Sequence, residues 1–194
     1  RSSGATGFCG AGGSAVRISR AALHAWEEPC ISGTRGSGTI FFSYCTLRCV
    51  YCQNLPVSRG IAGIEVEISR LAEIMLELES QGAHNINLVT PTHYAAQILE
   101  AIEIARRRGL SLPIVYNTGG YELSSAIERL RGAVDIFLTD YKYATNADAL
   151  RYSGAADYIE NADAALAKMV ELAPLSFSSD GLLRSGVIVR HLLL

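Results

Sequence analysis

Three cysteines fall within eight residues, Cys45-Thr46-Leu47-Arg48-Cys49-Val50-Tyr51-Cys52, in the spacing C-x3-C-x2-C. A loop this tight turns three thiolates toward one region, and cuboidal iron–sulfur clusters are held by such thiolates. Three protein ligands leave one iron of a four-iron cluster open to a second molecule, so the triplet points to chemistry rather than scaffolding. Zinc, with a fourth ligand from His24, His93 or Cys30, is the competing reading. Zinc sites favour pairs of C-x2-C, and no second pair stands elsewhere in the chain.

The triplet must be positioned by what surrounds it. It follows a strand-like run, Gly38–Ser43, and from there strands and helices alternate. Strands are expected at 86–90, 113–117, 134–141 and 186–193. Helices are expected at 68–80, where Ile68, Leu71, Ala72, Met75 and Leu78 share a face, at 92–108, at 125–131, and once or twice within 146–172. Arg106-Arg107-Arg108 before Gly109 suits a helix end, and Ser125 with Glu128 has the pattern of a capping box. Thr90 before Pro91 suits a helix N-cap. Residues 1–37 read as an irregular Gly/Ser-rich lead-in, with a short strand at 15–18, and residues 38–194 as the main domain. Cys9 and Cys30 read as small apolar residues.

Alternating strands and helices imply an α/β fold with a parallel sheet. The strands are near-continuous apolar runs, as when both faces are covered. Polar clusters fall at their carboxyl ends, where α/β barrels bind ligands: the cysteine triplet, Thr90 to His93, Asn117 and Thr118, Asp140 and Lys142, and Arg190. Asp140 and Lys142 lie two apart, so their side chains share a face and would pair if buried.

These motifs resemble the radical S-adenosylmethionine (SAM) superfamily, specifically its pyruvate formate-lyase activating enzyme-like group. The resemblance is carried by the triplet with Tyr51 before its last cysteine, by Gly38–Ser43 and Gln53-Asn54 on either side, and by 87–93, 115–121, 135–143 and 189–191. It implies a partial (βα)6 TIM-like barrel of which about five strands are present, the sixth lying beyond Leu194, so a fragment incomplete at its carboxyl end is expected. It implies a 4Fe-4S cluster on Cys45, Cys49 and Cys52, with SAM on the open iron. Reductive cleavage of SAM would give a 5′-deoxyadenosyl radical that abstracts hydrogen from a substrate, a glycyl-radical protein among the candidates.

Further roles come with the resemblance. Tyr51 would contact adenine. Asn117, Thr118 and Asp140 match ribose- and cation-binding positions, although the family usually has Asp where Asn117 stands. Lys142 would meet the methionine carboxylate, or else form a structural pair with Asp140, and Arg190 would clamp a carboxylate. Many relatives have Gly-Gly-Glu where this chain has Thr90-Pro91-Thr92. The hydroxyls of Thr90 or Thr92 would then hold the SAM amino group, and His93 is either a ligand contact or a surface residue. Residues 54–63 form a loop that covers the site or docks an electron donor of the flavodoxin or ferredoxin kind. A non-catalytic iron–sulfur or zinc module on the same fold is the alternative function.

Composition narrows the classes. The chain has 194 residues, 49% hydrophobic and 19% charged, with net charge −2. That is one globular domain without a broad nucleic-acid-binding surface. No apolar run approaches the roughly 20 residues that span a bilayer, and the amino end lacks a secretory pattern. Five cysteines, three of them crowded, suit reduced metal-binding thiols and a cytoplasmic location better than a disulfide framework.

Overall fold

The computed structural model describes residues 7–13 and 15–191. Its strands are β1 (Val16–His24), β2 (Ser37–Phe42), β3 (Ile64–Val66), β4 (Ile86–Val89), β5 (Ile114–Thr118), β6 (Ile136–Tyr141), β7 (Ser176–Phe177) and β8 (Leu183–His191). They form one mixed sheet of eight strands in the order β3-β1-β2-β4-β5-β6-β8-β7, which is not closed. The five central strands, β2, β4, β5, β6 and β8, run parallel. These are the five read from the sequence, with ends shifted by up to three residues; Leu192 and Leu193 of the expected last strand lie outside the described residues.

Parallel neighbours need crossovers, and helices supply them. The main ones are α3 (Ile68–Ser80), α4 (Ala95–Arg107), the short α5 (Ser124–Glu128), α6 (Asn146–Ser153) and α7 (Tyr158–Leu172); α1 (Pro29–Ser32) and α2 (Leu55–Ser58) are single turns. Leu71, Met75 and Leu78 of α3, and Ile98, Ala101, Ile102 and Ala105 of α4, pack on Ile40, Phe42, Ile86, Leu88, Ile114, Tyr116 and Phe137 of the sheet. Helix α4 stops where the sequence says it should: the Gly109 N–H reaches the Arg106 carbonyl, and the Leu110 N–H reaches that of Ala105.

Side chains alternate across a strand, so the opposite face carries a second set. Val115, Ile136 and Leu138 meet Ile31 and Leu183 there. Two residues further along the same rows, after Val115, Leu138 and Ile188, stand Asn117, Asp140 and Arg190, and Asn87 stands level with Val115; the parallel ladder holds them in register, with Asn117 opposite Leu138 and Asp140 opposite Arg190. On β5 and β6 this face is therefore apolar at the amino ends and polar at the carboxyl ends, while at the amino ends of β2 and β4 the buried Ser37 and Asn85 satisfy each other.

Three local expectations are corrected. The lead-in is not irregular throughout: β1 pairs antiparallel with β2 along Ile18–His24, and its own edge pairs with β3. Its polar residues hid the pattern, because only Val16 and Ile18 are buried there. The capping box at Ser125 does not form. Helix α5 begins one residue earlier with Leu123 at its N-cap, and Glu128 is drawn off by Arg131 at 2.6 Å and Lys168 at 3.3 Å. Thr90 does not cap a helix either. Its φ is 59°, the chain then makes a 3-10 turn over Thr92–Tyr94, and α4 opens with Tyr94 as N-cap.

Candidate metal centre and cleft

Strand β2 ends at Phe42, and the chain turns sharply through Tyr44, whose φ is 71°, into the cysteine loop. The loop is moored by α6. Thr145 caps the start of that helix by accepting the Asp148 N–H, and Gly154 ends it in the left-handed conformation. The last carbonyls of a helix lack intrahelical donors. Here the Ser153 carbonyl accepts the Arg48 N–H at 3.2 Å, and the Tyr152 carbonyl accepts the Val50 N–H at 2.8 Å.

Cys45, Cys49 and Cys52 are unbridged and half-buried. All three border one cavity of about 220 Å³, together with Thr90, Asn117, Thr118, Asp140, Lys142 and Arg190. Cys49, Cys52, Asn117, Asp140, Lys142 and Arg190 also border a wider cleft of about 790 Å³, which adds Tyr51, His24, Trp26 and Glu27. The sulfurs share a cavity but are not drawn together: among the described residues no three His, Cys, Asp or Glu side chains stand in a metal-holding group.

The donor set, three cysteines bordering one cavity, fits an iron–sulfur cluster, which thiolates would hold. Cys45 accepts only a 3.4 Å contact from the Leu47 N–H, and Cys52 lies 3.4 Å from Ser58 Oγ. Burial pushes the Cys45 thiol up to about 11. The bare thiol therefore stays protonated, and a metal's positive charge is what such a sulfur needs to ionise. None of His24, His93 and Cys30, the fourth ligands a zinc site would use, borders the smaller cavity. His93 is buried, with Nε2 2.8 Å from the Ser43 carbonyl, so it is not a surface residue. Cys30 packs beside Ile31 on the apolar end of the sheet face.

The floor of the cleft is a charged network. Arg190 Nε donates to Asp140 Oδ1 at 2.9 Å, and its terminal nitrogens donate to Asn117 Oδ1 at 2.9 Å and Glu27 Oε1 at 3.3 Å. Lys142 Nζ meets the other Asp140 oxygen at 2.6 Å. Asn87 and Asn117 donate their amides to Glu27 Oε2 at 2.8 and 3.1 Å. Two carboxylates and two cations thus share one half-buried wall, as partly desolvated charges require. Tyr158, fully buried, fastens the strand ends behind it by accepting the Lys142 N–H at 2.8 Å, with the Gly119 carbonyl 3.1 Å from its hydroxyl.

Thr92 borders neither cavity. Its hydroxyl donates to Glu122 Oε1 at 2.9 Å and lies 3.3 Å from Thr118 Oγ1. Thr118 also donates to Glu122, and Tyr116 donates to its other oxygen at 3.1 Å. Burial raises the pKa of this enclosed carboxyl, against the lowering effect of the three hydroxyls. A carboxyl thus stands behind the turn that follows β4, delivered from beyond β5.

Sequence reasoning missed Glu27, Glu122, Tyr143 and Ser153. Glu28-Pro29, an N-cap and N1 pair opening α1, was the available signal for Glu27. The Thr145 to Gly154 frame was the signal for α6, but nothing in it marks Ser153.

With this geometry established, kinship can be stated. The family described as the Radical SAM superfamily matches residues 39–178, and the chain belongs to it. Members of that family typically bind a 4Fe-4S cluster and SAM. The chain is also similar to the uncharacterized protein MJ0674 of Methanocaldococcus jannaschii, with 29% identity over 147 residues. That alignment covers 71% of this chain and 41% of the relative, so the chain spans about two-fifths of the protein it matches. Among the described residues no helix is long and apolar enough to cross a membrane.

Proposed function

We propose that this chain is the catalytic core of a radical SAM enzyme, its sheet a partial barrel. Cys45, Cys49 and Cys52 hold a 4Fe-4S cluster, and SAM lies in the adjoining cleft. The observation that carries this reading is the shared cavity: three thiols border the same space as Asn117, Asp140, Lys142 and Arg190. When bound, the cluster supplies the electron that splits SAM into methionine and a 5′-deoxyadenosyl radical, which takes hydrogen from the substrate.

The chain's own residues bind and orient. Lys142 and Arg190 offer positive charge to a carboxylate, while Asp140 and Glu27 offer acceptors to an ammonium or ribose hydroxyls. Tyr51 presents a ring at the cleft wall for the adenine, and Thr90 adds a hydroxyl at the smaller cavity, which Thr118 borders with its own hydroxyl turned to Glu122. Thr92 acts from behind, through Glu122 and Thr118. A reductant of the flavodoxin or ferredoxin kind supplies the electron, and a glycyl-radical protein is the substrate class the family resemblance favours.

The test is anaerobic reconstitution of the full protein with iron and sulfide, then dithionite and SAM. Release of 5′-deoxyadenosine and methionine is the expected result. Zinc without inorganic sulfide in oxygen-protected protein would overturn the proposal, and a stable cluster that never cleaves SAM would favour the non-catalytic module.

A further inference from the structure

We propose that Ser153, Tyr143 and Tyr51 form a hydroxyl chain that sets the electron affinity of the metal centre through Cys49, with Ser153 as the positioning residue. The inference rests on the reading of Cys49 as a cluster ligand.

Ser153 Oγ donates to Cys49 Sγ at 2.8 Å, across 104 residues of sequence. The Tyr143 hydroxyl is hydrogen-bonded to Ser153 Oγ, and the Tyr51 hydroxyl lies 2.6 Å from that of Tyr143. A hydroxyl has one proton to give. If Ser153 gives its proton to sulfur, Tyr143 must supply Ser153, and Tyr51 must supply Tyr143. The chain therefore has one direction, and bonds aligned in this way polarise one another.

Ser153 and Tyr143 are buried, so water neither replaces nor screens these bonds. The two backbone bonds from the cysteine loop to Tyr152 and Ser153 hold the hydroxyl opposite the sulfur. Among the described residues neither Cys45 nor Cys52 has such a donor, their polar contacts lying at 3.4 Å. Reduction adds negative charge to the cluster and its thiolates, and hydrogen bonds to the sulfurs favour the reduced form. The far end of the chain, Tyr51, borders the wider cleft. A molecule bound there and touching the Tyr51 hydroxyl alters the last donor in the series, and Cys49 registers the change.

The test is the reduction potential of the reconstituted full protein, compared among wild type, Ser153→Ala, Tyr143→Phe and the double variant. Ser153→Ala is expected to lower the equilibrium constant for one-electron reduction about tenfold, a shift of about 59 mV to more negative potential. Tyr143→Phe should shift it the same way by less, and should add nothing once Ser153 is alanine. Tyr143→Phe removes only a hydroxyl, so it serves if Ser153→Ala does not fold. Equal potentials in fully loaded variants would overturn this inference and leave the cluster reading standing. A wild type that takes up no iron and sulfide would overturn both.

Discussion

Asp140 and Arg190 stand directly opposite each other on neighbouring parallel strands, and Arg190 Nε donates to Asp140 Oδ1 at 2.9 Å. The same guanidinium reaches Glu27, more than 160 residues away in sequence. One side chain therefore ties the last described strand, the sheet's centre and the segment before α1 into the wall of the cleft. Arg190→Ala leaves Glu27 and Asp140 short of a partner. Chemical denaturation should show a loss of roughly 1–3 kcal/mol, the value for charged hydrogen bonds discounted for partial exposure. SAM binding should weaken as well. Arg190→Lys should recover little, because an ammonium cannot serve three oxygens in a fixed plane.

Removal of any one thiol from the triplet should abolish the cluster. Cys45→Ala, Cys49→Ala and Cys52→Ala are each expected to lose the brown absorbance and the stoichiometric iron and sulfide after anaerobic reconstitution. Cys9→Ala is the control that should keep them, and bleaching by that change would refute the ligand assignment.

Glu122 predicts a pH dependence with a definite sign. Burial raises its pKa above the ordinary 4.5. Between the ordinary and the raised value the folded state holds more protons than the unfolded state, so stability falls as pH rises through that window. Glu122→Gln keeps a hydrogen-bonding side chain that cannot ionise. The stability of the variant relative to wild type should grow as pH rises from about 4.5 and level off above the folded pKa. A difference independent of pH, measured by denaturation across that range, would contradict the argument.

Thr90 carries strain that glycine would relieve. A β-branched residue at a φ of 59° is uncommon. Thr90→Gly should stabilise the fold by about 1 kcal/mol, since strain of this kind costs about 1–3 kcal/mol and glycine's unfolded-state freedom offsets part of the relief. On the proposed role, SAM affinity should fall in the same variant. Thermal unfolding and equilibrium binding together test whether the strain accompanies function.

Gly120 should tolerate nothing larger. Its φ is 79°, and a Cβ there would meet the Asp140 carbonyl oxygen at 2.3 Å. Gly120→Ala is expected to cost more than about 2 kcal/mol, combining a left-handed backbone with overpacking against main chain. It should also displace Asp140 and Lys142, so SAM binding would drop further than stability alone explains.

The five parallel strands and the polar rim were readable because buried strands are near-continuous apolar runs and Asn117, Asp140 and Arg190 break the pattern toward their ends. Helix α3 was readable to the residue from its apolar spacing. What escaped reading depends on pairing across the fold. Strand β1 buries one short apolar stretch and otherwise shows polar residues, so its ladder with β2 leaves little trace in composition. Glu27 is one acid among many until Arg190 and two amides converge on it. Thr90 looked like a cap because a rule of local chemistry favours it, and the tertiary turn after β4 overrode that rule.

The anchoring of the cysteine loop on α6 bears on attempts to move it. An excised octapeptide copying 45–52 would keep every sulfur yet lose the two carbonyls and the serine that orient the turn. Grafting the sequence into a foreign scaffold should therefore succeed only when the distant helical end travels with it, so the unit of inheritance for this centre is a pair of segments rather than a motif.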